Sequence, residues 1–379
     1  MKNKKHSYGI QALKLHKKLA GKIEITSKIK IKTKEDLSTV YTPGVGSVSL
    51  YLAKNKNKTG EYTIKGNSVA IISDGSAVLG LGNIGPEGAL PVMEGKAMIM
   101  KEFAGLDAIP IVLNTQNTEE IISAVKAIAP TFGAINLEDI SAPRCFEIEE
   151  RLKQELDIPI MHDDQWGTSV VVLAALINAT KLAGKNIKKS RIVILGAGAA
   201  GSAIIKILHK YGARNIIAVD RDGIIHVNDN SPAKAKLAEI TNPQNEKGNI
   251  EDALIDADVF IGVSKGGLVT EEMIKKMADK PIVFALANPV PEIMPDAAKR
   301  AGAYIVASGR SDFPNQVNNA LAFPGIFRGA IDNKVKKITK TMLIRAAENI
   351  AKSIKPSKEK IIPNIFDKRI IKIVSRAIK

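Results

Sequence analysis

The most constraining feature of this chain is an alternation. Short, unbroken runs of apolar, often β-branched residues are separated by helical patterns from Val69 almost to the end. The first series is VAIIS (69–73), IPIVL (109–113), AINLE (134–138) and IPIMH (158–162), with helical stretches near 91–103, 118–128 and 144–156. The second is RIVIL (191–195), NIIAV (215–219), DVFIGV (258–263), PIVFAL (281–286) and AYIVAS (303–308). Strands that are apolar throughout must be covered on both faces, which is the signature of parallel sheets with helical crossovers. The expected fold is therefore α/β with two domains, 1–162 and 163–379, bridged by a helix over 169–182. From about Lys334 the pattern turns amphipathic, which predicts a helical tail packed on the body or on a partner. A length of 379 residues suits two or three domains.

The clearest local motif is Gly196-Ala-Gly198-Ala199-Ala200-Gly201, which follows the strand RIVIL and opens a helical pattern over 202–211. The first glycine permits a tight turn, the second lets the backbone approach a pyrophosphate, and the third lets helix and strand pack closely. The helix N-terminus then offers free N–H groups to the phosphates. Asp220 ends the next strand, where a carboxylate would bind the adenine ribose 2′-hydroxyl. This favours NAD over NADP, although Arg221 beside it offsets part of the preference. The second domain is expected to be of Rossmann type.

Carboxylates gather at the ends of the first series. Glu138 and Asp139 close AINLE, and Asp163 and Asp164 follow IPIMH. Strand C-termini of a parallel sheet converge on a ligand crevice, and neighbouring strand residues point to opposite faces, so Asp163 and Asp164 are expected to do different things. Oxygen ligands of this kind suit Mg²⁺ or Mn²⁺. No His/Cys spacing suits zinc, and His162 reads as a structural histidine. Lys96 lies in VMEGKAMIM, where burial would depress its pKa towards that of a base; a lysine snorkelling to the surface is the competing reading.

Composition narrows the remaining classes. Lys plus Arg is 55 against 39 Asp plus Glu, a formal charge of +16. Aromatics are only 4% and lysine outnumbers arginine, unlike a nucleic-acid surface, so the charge reads as solvated exterior that steers anions. One cysteine, Cys145, excludes an internal disulfide and reads as a buried small residue. No uninterrupted apolar run reaches membrane-spanning length, and the start MKNKKHSYGI lacks the apolar core of a signal peptide. A soluble, cytoplasmic protein is expected.

Six long motifs, in order, carry a family resemblance. YTPGVG (41–46), SDGSAVLGLGNIGPEGALPVMEGKA (73–97), INLEDISAPRCF (135–146), HDDQWGTS (162–169), ALANPVPEI (285–293) and SDFPNQVNNALAFPGIFRGAID (311–332) resemble the malic enzymes, in their short bacterial and archaeal form. The resemblance implies oxidative decarboxylation of L-malate to pyruvate and CO₂ with NAD or NADP and a divalent metal, by a catalytic N-terminal domain and an NAD(P)-binding domain. By position it makes Tyr41 the general acid and Lys96 the general base, with Asp163 pairing with the lysine. Glu138, Asp139 and Asp164 match the metal ligands. Asn288 and Asn319 match the substrate-binding asparagines, with Asn318 as support, and Asn288 also borders the cofactor. A homodimer is the family default, and Tyr41, ahead of the first sheet, is a candidate to serve a neighbouring subunit.

Three positions depart from the family pattern. Ala77 stands where longer animal and plant forms carry a substrate arginine, which leaves Ser76, the asparagines and the backbone around 80–82 to hold malate's carboxylate. Trp166 and Ser169 replace the usual His and Ala of DDQHGTA, and Trp166 reads as a packed indole. Two other functions remain open. One is direct malate-to-lactate conversion, as in the related malolactic enzymes, which resemble the longer form. The other is a basic nucleotide-responsive binding protein without turnover, against which the complete set of Tyr41, Lys96 and carboxylates argues.

Overall fold

Each apolar run becomes a strand, buried where helices cover both faces; the edge strand at 107–112 is only half-buried, against the expectation of full cover. The computed structural model describes residues 2–227, 229 and 231–379, and of residues 2–7 only the backbone; the side chains of the basic start thus lie outside the description. The first sheet is β1 (Ser68–Ser73), β2 (Asp107–Val112), β3 (Ala134–Leu137) and β4 (Ile160–His162), all parallel in the order β2-β1-β3-β4. The second is β5 (Arg191–Leu195), β6 (Asn215–Asp220), β7 (Gly223–Ile224), β8 (Val259–Gly262), β9 (Ile282–Ala285) and β10 (Ile305–Ser308), in the order β10-β9-β8-β5-β6-β7. Only β7 is antiparallel, and its two residues are too short for the sequence pattern to reveal.

Four helices precede the first sheet: α1 (Lys2–Leu19), α2 (Lys34–Val40), α3 (Gly44–Lys54) and α4 (Thr59–Tyr62). The first sheet is then crossed by α5 (Gly85–Ala104), α6 (Thr118–Ile128) and α7 (Arg144–Glu155). The bridge is α8 (Asp163–Ala183), followed by α9 (Ala199–Tyr211), α10 (Pro232–Ala238), α11 (Ile250–Leu254), α12 (Glu271–Lys275) and α13 (Pro295–Arg300). The tail is α14 (Phe323–Asp332), α15 (Lys340–Lys352) and α16 (Arg369–Ser375).

Two helices begin earlier than expected. α5 starts six residues before Pro91, which sits inside it and had mimicked a helix start. α8 starts at Asp163, with Asp163 and Asp164 in its first turn, where acidic side chains oppose the positive end of the helix dipole. The body of α8 is apolar all round and long enough to cross a membrane by composition, but it is the central helix, mostly buried against α9 and α15. The tail packs back onto the body as expected. Asn178 in α8 pins it by donating to the Ala351 and Ile361 carbonyls at 3.0 and 2.9 Å.

The segment before β1 is different. Between Tyr8 and Asn67 no residue is buried, and Leu13, Ile25, Tyr41 and Leu50 are each more than 60% exposed.

Candidate active site

Both sheets place their ligand crevices where strand order reverses, between β1 and β3 in the first and between β5 and β8 in the second. In the first crevice, β3 runs into Glu138 and Asp139, and Asp139 takes a left-handed backbone with φ of 53°. That turn keeps both consecutive carboxylates in the site. From β4 the chain enters α8 directly, so Asp163 and Asp164 diverge by the roughly 100° between neighbouring helix residues, not by strand alternation. The two side chains have different surroundings, as expected, but the geometric cause is the helix.

Asp163 is wholly buried. Its Oδ2 accepts from Lys96 Nζ at 2.5 Å and from Asn319 Nδ2 at 2.8 Å. Lys96, on α5, also lies 2.8 Å from Glu138 Oε1 and 4.7 Å from the centre of the Phe323 ring. Asp164 remains partly open, and its Oδ2 accepts from the Asp139 backbone N–H at 2.8 Å. Asn136 steadies Glu138 through a 2.8 Å bond from Nδ2 to Oε2.

The electrostatics follow from crowding. Four carboxylates face one ammonium, leaving a net −3 if all ionise (4 − 1). Burial, then the Lys96 and Asp164 charges, act on Glu138, with a net rise well above the ordinary carboxylate range. Burial and the Asp164 charge push Asp139 up to about 8. For Lys96, burial favours loss of the proton, but Asp163, Glu138 and Asp164 outweigh it and raise its pKa. The depression expected from sequence is therefore reversed, because the surrounding apolar residues are not the lysine's nearest neighbours.

Ligand atoms of Glu138, Asp139 and Asp164 all lie within 4.8 Å of one another. Asp139 Oδ2 is buried without a hydrogen-bond partner among the described residues. An all-oxygen set with excess negative charge and an unsatisfied buried oxygen fits a hard divalent cation such as Mg²⁺ or Mn²⁺. His162 is buried, with Nδ1 3.9 Å from Asp164 Oδ2 and neither ring nitrogen hydrogen-bonded among the described residues.

Other expected residues have different local tasks. The Ser76 hydroxyl donates to Asp74 Oδ1 at 2.6 Å and accepts from the Ser141 backbone N–H and Arg144 Nη2. With donor and lone pairs engaged, Ser76 shapes the loop and is not free for a substrate carboxylate as expected. Asn318 caps the short helix beginning at Asn319 by accepting from the Ala320 N–H, so it supports Asn319. Tyr41 is 65% exposed and makes no hydrogen bond to Lys96 among the described residues.

In the second crevice the three glycines of the turn divide their tasks visibly. Gly196 has φ of 109°; a Cβ on Gly198 would meet nothing within 4 Å; a Cβ on Gly201 would lie 1.7 Å from the Gly196 carbonyl oxygen. Open space therefore faces Ala199 and Ala200 at the start of α9. Asp220 borders a cavity of about 430 Å³ together with Arg221, Gly223, Asn249, Ser264 and Lys265. The two crevices meet where Gly80 passes the Asn288 carbonyl so closely that a Cβ would lie 2.1 Å from its oxygen.

Sequence reasoning missed three residues because their partners are distant along the chain. Lys234 lies 2.9 Å from Asp220 Oδ2 and 3.1 Å from Asp222 Oδ2. Glu149 is buried and accepts from the His162 backbone N–H, Gln165 Nε2, Trp166 Nε1 and Lys153 Nζ, fixing the turn ahead of Asp163. Glu292 accepts from the Ser264 and Ala287 backbone N–H groups, joining the loops that leave β8 and β9. Trp166 and Cys145 are packed, as expected.

Comparison with known proteins agrees with this arrangement. Residues 20–153 match the malic enzyme N-terminal domain and residues 166–378 the malic enzyme NAD-binding domain. An NAD-dependent malic enzyme of Geobacillus stearothermophilus is 54% identical over 365 residues, covering 95% of this chain and 76% of that one. A bifunctional malic/malolactic enzyme of Bacillus subtilis is 52% identical over 374 residues, covering 97% and 91%. Its similar length removes the argument that a malolactic activity belongs with the longer form. The crystal structure of an NAD-dependent malic enzyme from Thermotoga maritima superposes with a TM-score of 0.95 at 53% identity, covering 97% of this chain and 98% of that one. Fold, paired domains and relatives agree: this chain belongs to the malic enzyme family.

Proposed function

We propose that the chain oxidatively decarboxylates L-malate to pyruvate and CO₂ with NAD⁺ or NADP⁺, using Mg²⁺ or Mn²⁺. The observation that carries this reading is the triad Asp163–Lys96–Glu138, whose Glu138 also clusters with Asp139 and Asp164 at the junction with the dinucleotide crevice. When bound, the dinucleotide accepts a hydride, while a dication on Glu138, Asp139 and Asp164 supplies Lewis acidity to malate's C2 oxygen and opposes the field that keeps Lys96 protonated.

Lys96 is placed to take the proton from the C2 hydroxyl as hydride leaves C2, and Asp163 holds the lysine Nζ for that transfer. Asn319, anchored on the same Asp163 oxygen, positions the substrate relative to the base. Asn288, at the meeting of the two crevices, orients substrate against cofactor. After CO₂ leaves from C4, an acid must protonate C3 of the enolate, and Tyr41 has that role. Because Tyr41 is exposed on a segment with no buried residue, we assign it to the site of a second copy of this chain. That copy also covers the apolar side chains of residues 8–64, giving a homodimer.

The test is steady-state turnover with L-malate, Mn²⁺ and either cofactor, following NAD(P)H and pyruvate. No metal-dependent reduction of either cofactor sinks the proposal. The name of the Bacillus subtilis relative favours a second reading, conversion of malate to lactate with the cofactor retained, which shows as lactate without net NADH.

A further inference from the structure

The first turn of α8 holds two carboxylates where a helix ordinarily uses such groups for itself. The backbone N–H groups at a helix start have no partner within the helix, and acidic side chains there are drawn to them. Asp163 and Asp164 are the first two residues of α8, yet their carboxylates are turned elsewhere. Asp163 Oδ2 accepts from Lys96 and Asn319, and Asp164 Oδ2 accepts from the Asp139 N–H. Asp163 Oδ1 lies back over Gly167, where a Cβ would come within 1.8 Å of it. His162, which precedes the helix, makes no side-chain cap hydrogen bond.

The cap comes from another helix. Glu149 of α7 is buried, and each of its oxygens accepts two bonds. Oε1 takes the His162 backbone N–H at 3.0 Å and Lys153 Nζ at 2.7 Å. Oε2 takes Trp166 Nε1 at 2.9 Å and Gln165 Nε2 at 3.3 Å. In a capping box the third helical residue reaches back to the N–H of the residue before the helix. Gln165 occupies that third position but donates to Glu149, and Glu149 accepts the His162 N–H in its place. Residues 162, 165 and 166, which bracket the two aspartates, are thus all fixed to one carboxylate.

We infer that Glu149 is a positioning residue: by capping α8 from α7 it leaves Asp163 free to hold Lys96 and Asp164 free to face Glu138 and Asp139. The inference rests on the reaction proposed above for the tasks of the two aspartates. Trp166 belongs to the same arrangement, because its departure from the family's histidine still offers a ring N–H to Glu149. Glu149→Gln keeps the shape of the side chain but not its capacity. Whichever way the amide turns, its Nε2 faces either the His162 N–H or the Trp166 N–H and cannot accept from it.

The test uses the full-length protein and reads Mn²⁺ affinity by electron paramagnetic resonance, beside melting temperature, kcat and the KM for NAD⁺. Glu149→Gln should weaken Mn²⁺ about tenfold and lower kcat, with KM for NAD⁺ unchanged because the glycine turn lies in the other crevice. Trp166→Phe, which keeps a packed ring, should weaken Mn²⁺ roughly threefold through loss of one hydrogen bond. Trp166→His, whose Nε2 can replace the indole donor, should bind Mn²⁺ as the wild type does. A role confined to stability would lower the melting temperature and leave Mn²⁺ affinity and kcat per folded site at wild-type values. That result in Glu149→Gln overturns the inference, and if that variant does not fold, the same result in Trp166→Phe overturns it. A wild type that binds no Mn²⁺ overturns it together with the proposed metal site. Mn²⁺ binding without turnover of malate counts against the reaction alone, and the affinities of the variants still decide the role of Glu149.

Discussion

Lys96 and Asp163 are 67 residues apart in the chain and 2.5 Å apart in space. One comes from the crossover helix α5 and the other from the first turn of α8, so the pair ties the N-terminal sheet to the helix on which the second half is built. Asp163 is buried and Lys96 half-buried, and each makes one further contact that matters: Lys96 to Glu138, and Asp163 to Asn319. A proton taken by Lys96 therefore enters a network joining a proposed metal ligand to a proposed substrate ligand.

Lys96→Ala should lower kcat for malate oxidation by about 10² to 10⁴-fold, the range a positioned base contributes. Cofactor binding should survive, since the glycine turn and Asp220 belong to the other crevice. Nucleotide fluorescence titration beside steady-state kinetics checks both. A variant retaining most of its kcat removes Lys96 from the base role.

Metal-free protein should lose stability as pH rises. Asp139 in the folded protein is pushed up to about 8, against roughly 3.9 for an ordinary aspartate. Between those values the native state keeps a proton that the unfolded chain has released, so unfolding free energy falls with pH. The loss is absent below about pH 4 and complete above about pH 8. Melting temperature in EDTA should thus decline across this window, and excess Mn²⁺ should abolish the decline. Asp139→Asn should flatten the EDTA profile and remove most of the stabilisation by Mn²⁺, which is about 2.7 kcal/mol at a hundred times Kd for an intact site.

Cofactor preference should turn on Asp220 and Lys234 together. Asp220 alone repels a 2′-phosphate, but Lys234, 2.9 Å away, neutralises it. Asp220→Ala should weaken NAD⁺ more than NADP⁺, through loss of the ribose contact. Lys234→Ala should do the reverse, raising KM for NADP⁺ about tenfold more than for NAD⁺. The ratio of kcat/KM for the two cofactors reads both effects, and an unchanged ratio in both variants excludes the pair from cofactor selection.

How much of this was legible in sequence depended on distance along the chain. Nine of the ten described strands announce themselves as unbroken apolar runs, eight of them largely buried and edge strand β2 half-buried; two-residue β7 has no room for such a signal. The glycine turn was legible because its turn, its phosphate approach and its helix contact all fall within six residues. The start of α8 is ambiguous in sequence because Asp163 and Asp164 suit a strand end and a first helical turn equally well. Through-space pairs were invisible: nothing near Lys234 announces Asp220, and nothing near Glu149 announces Trp166. The proton affinity of Lys96 failed for the same reason. Its neighbours in sequence report burial, while its neighbours in space are three carboxylates.

The source of Tyr41 can be decided by mixing two inactive chains. Tyr41→Phe lacks the proposed acid and Lys96→Ala the base, so each homodimer should be inactive. If Tyr41 serves the partner's site, a heterodimer of the two has one site with both residues intact and one with neither. Random pairing makes half the dimers heterodimers, so co-expressed chains should recover about a quarter of wild-type activity, given independent sites. If each chain completes its own site, every site in the mixture lacks one residue and activity stays at the level of the parents. The exposed ring of Tyr41 and the absence of a buried residue from Tyr8 to Asn67 favour recovery. The exposed apolar side chains of that segment, Leu13, Ile25 and Leu50 among them, are the surface that a second copy would cover in this reading.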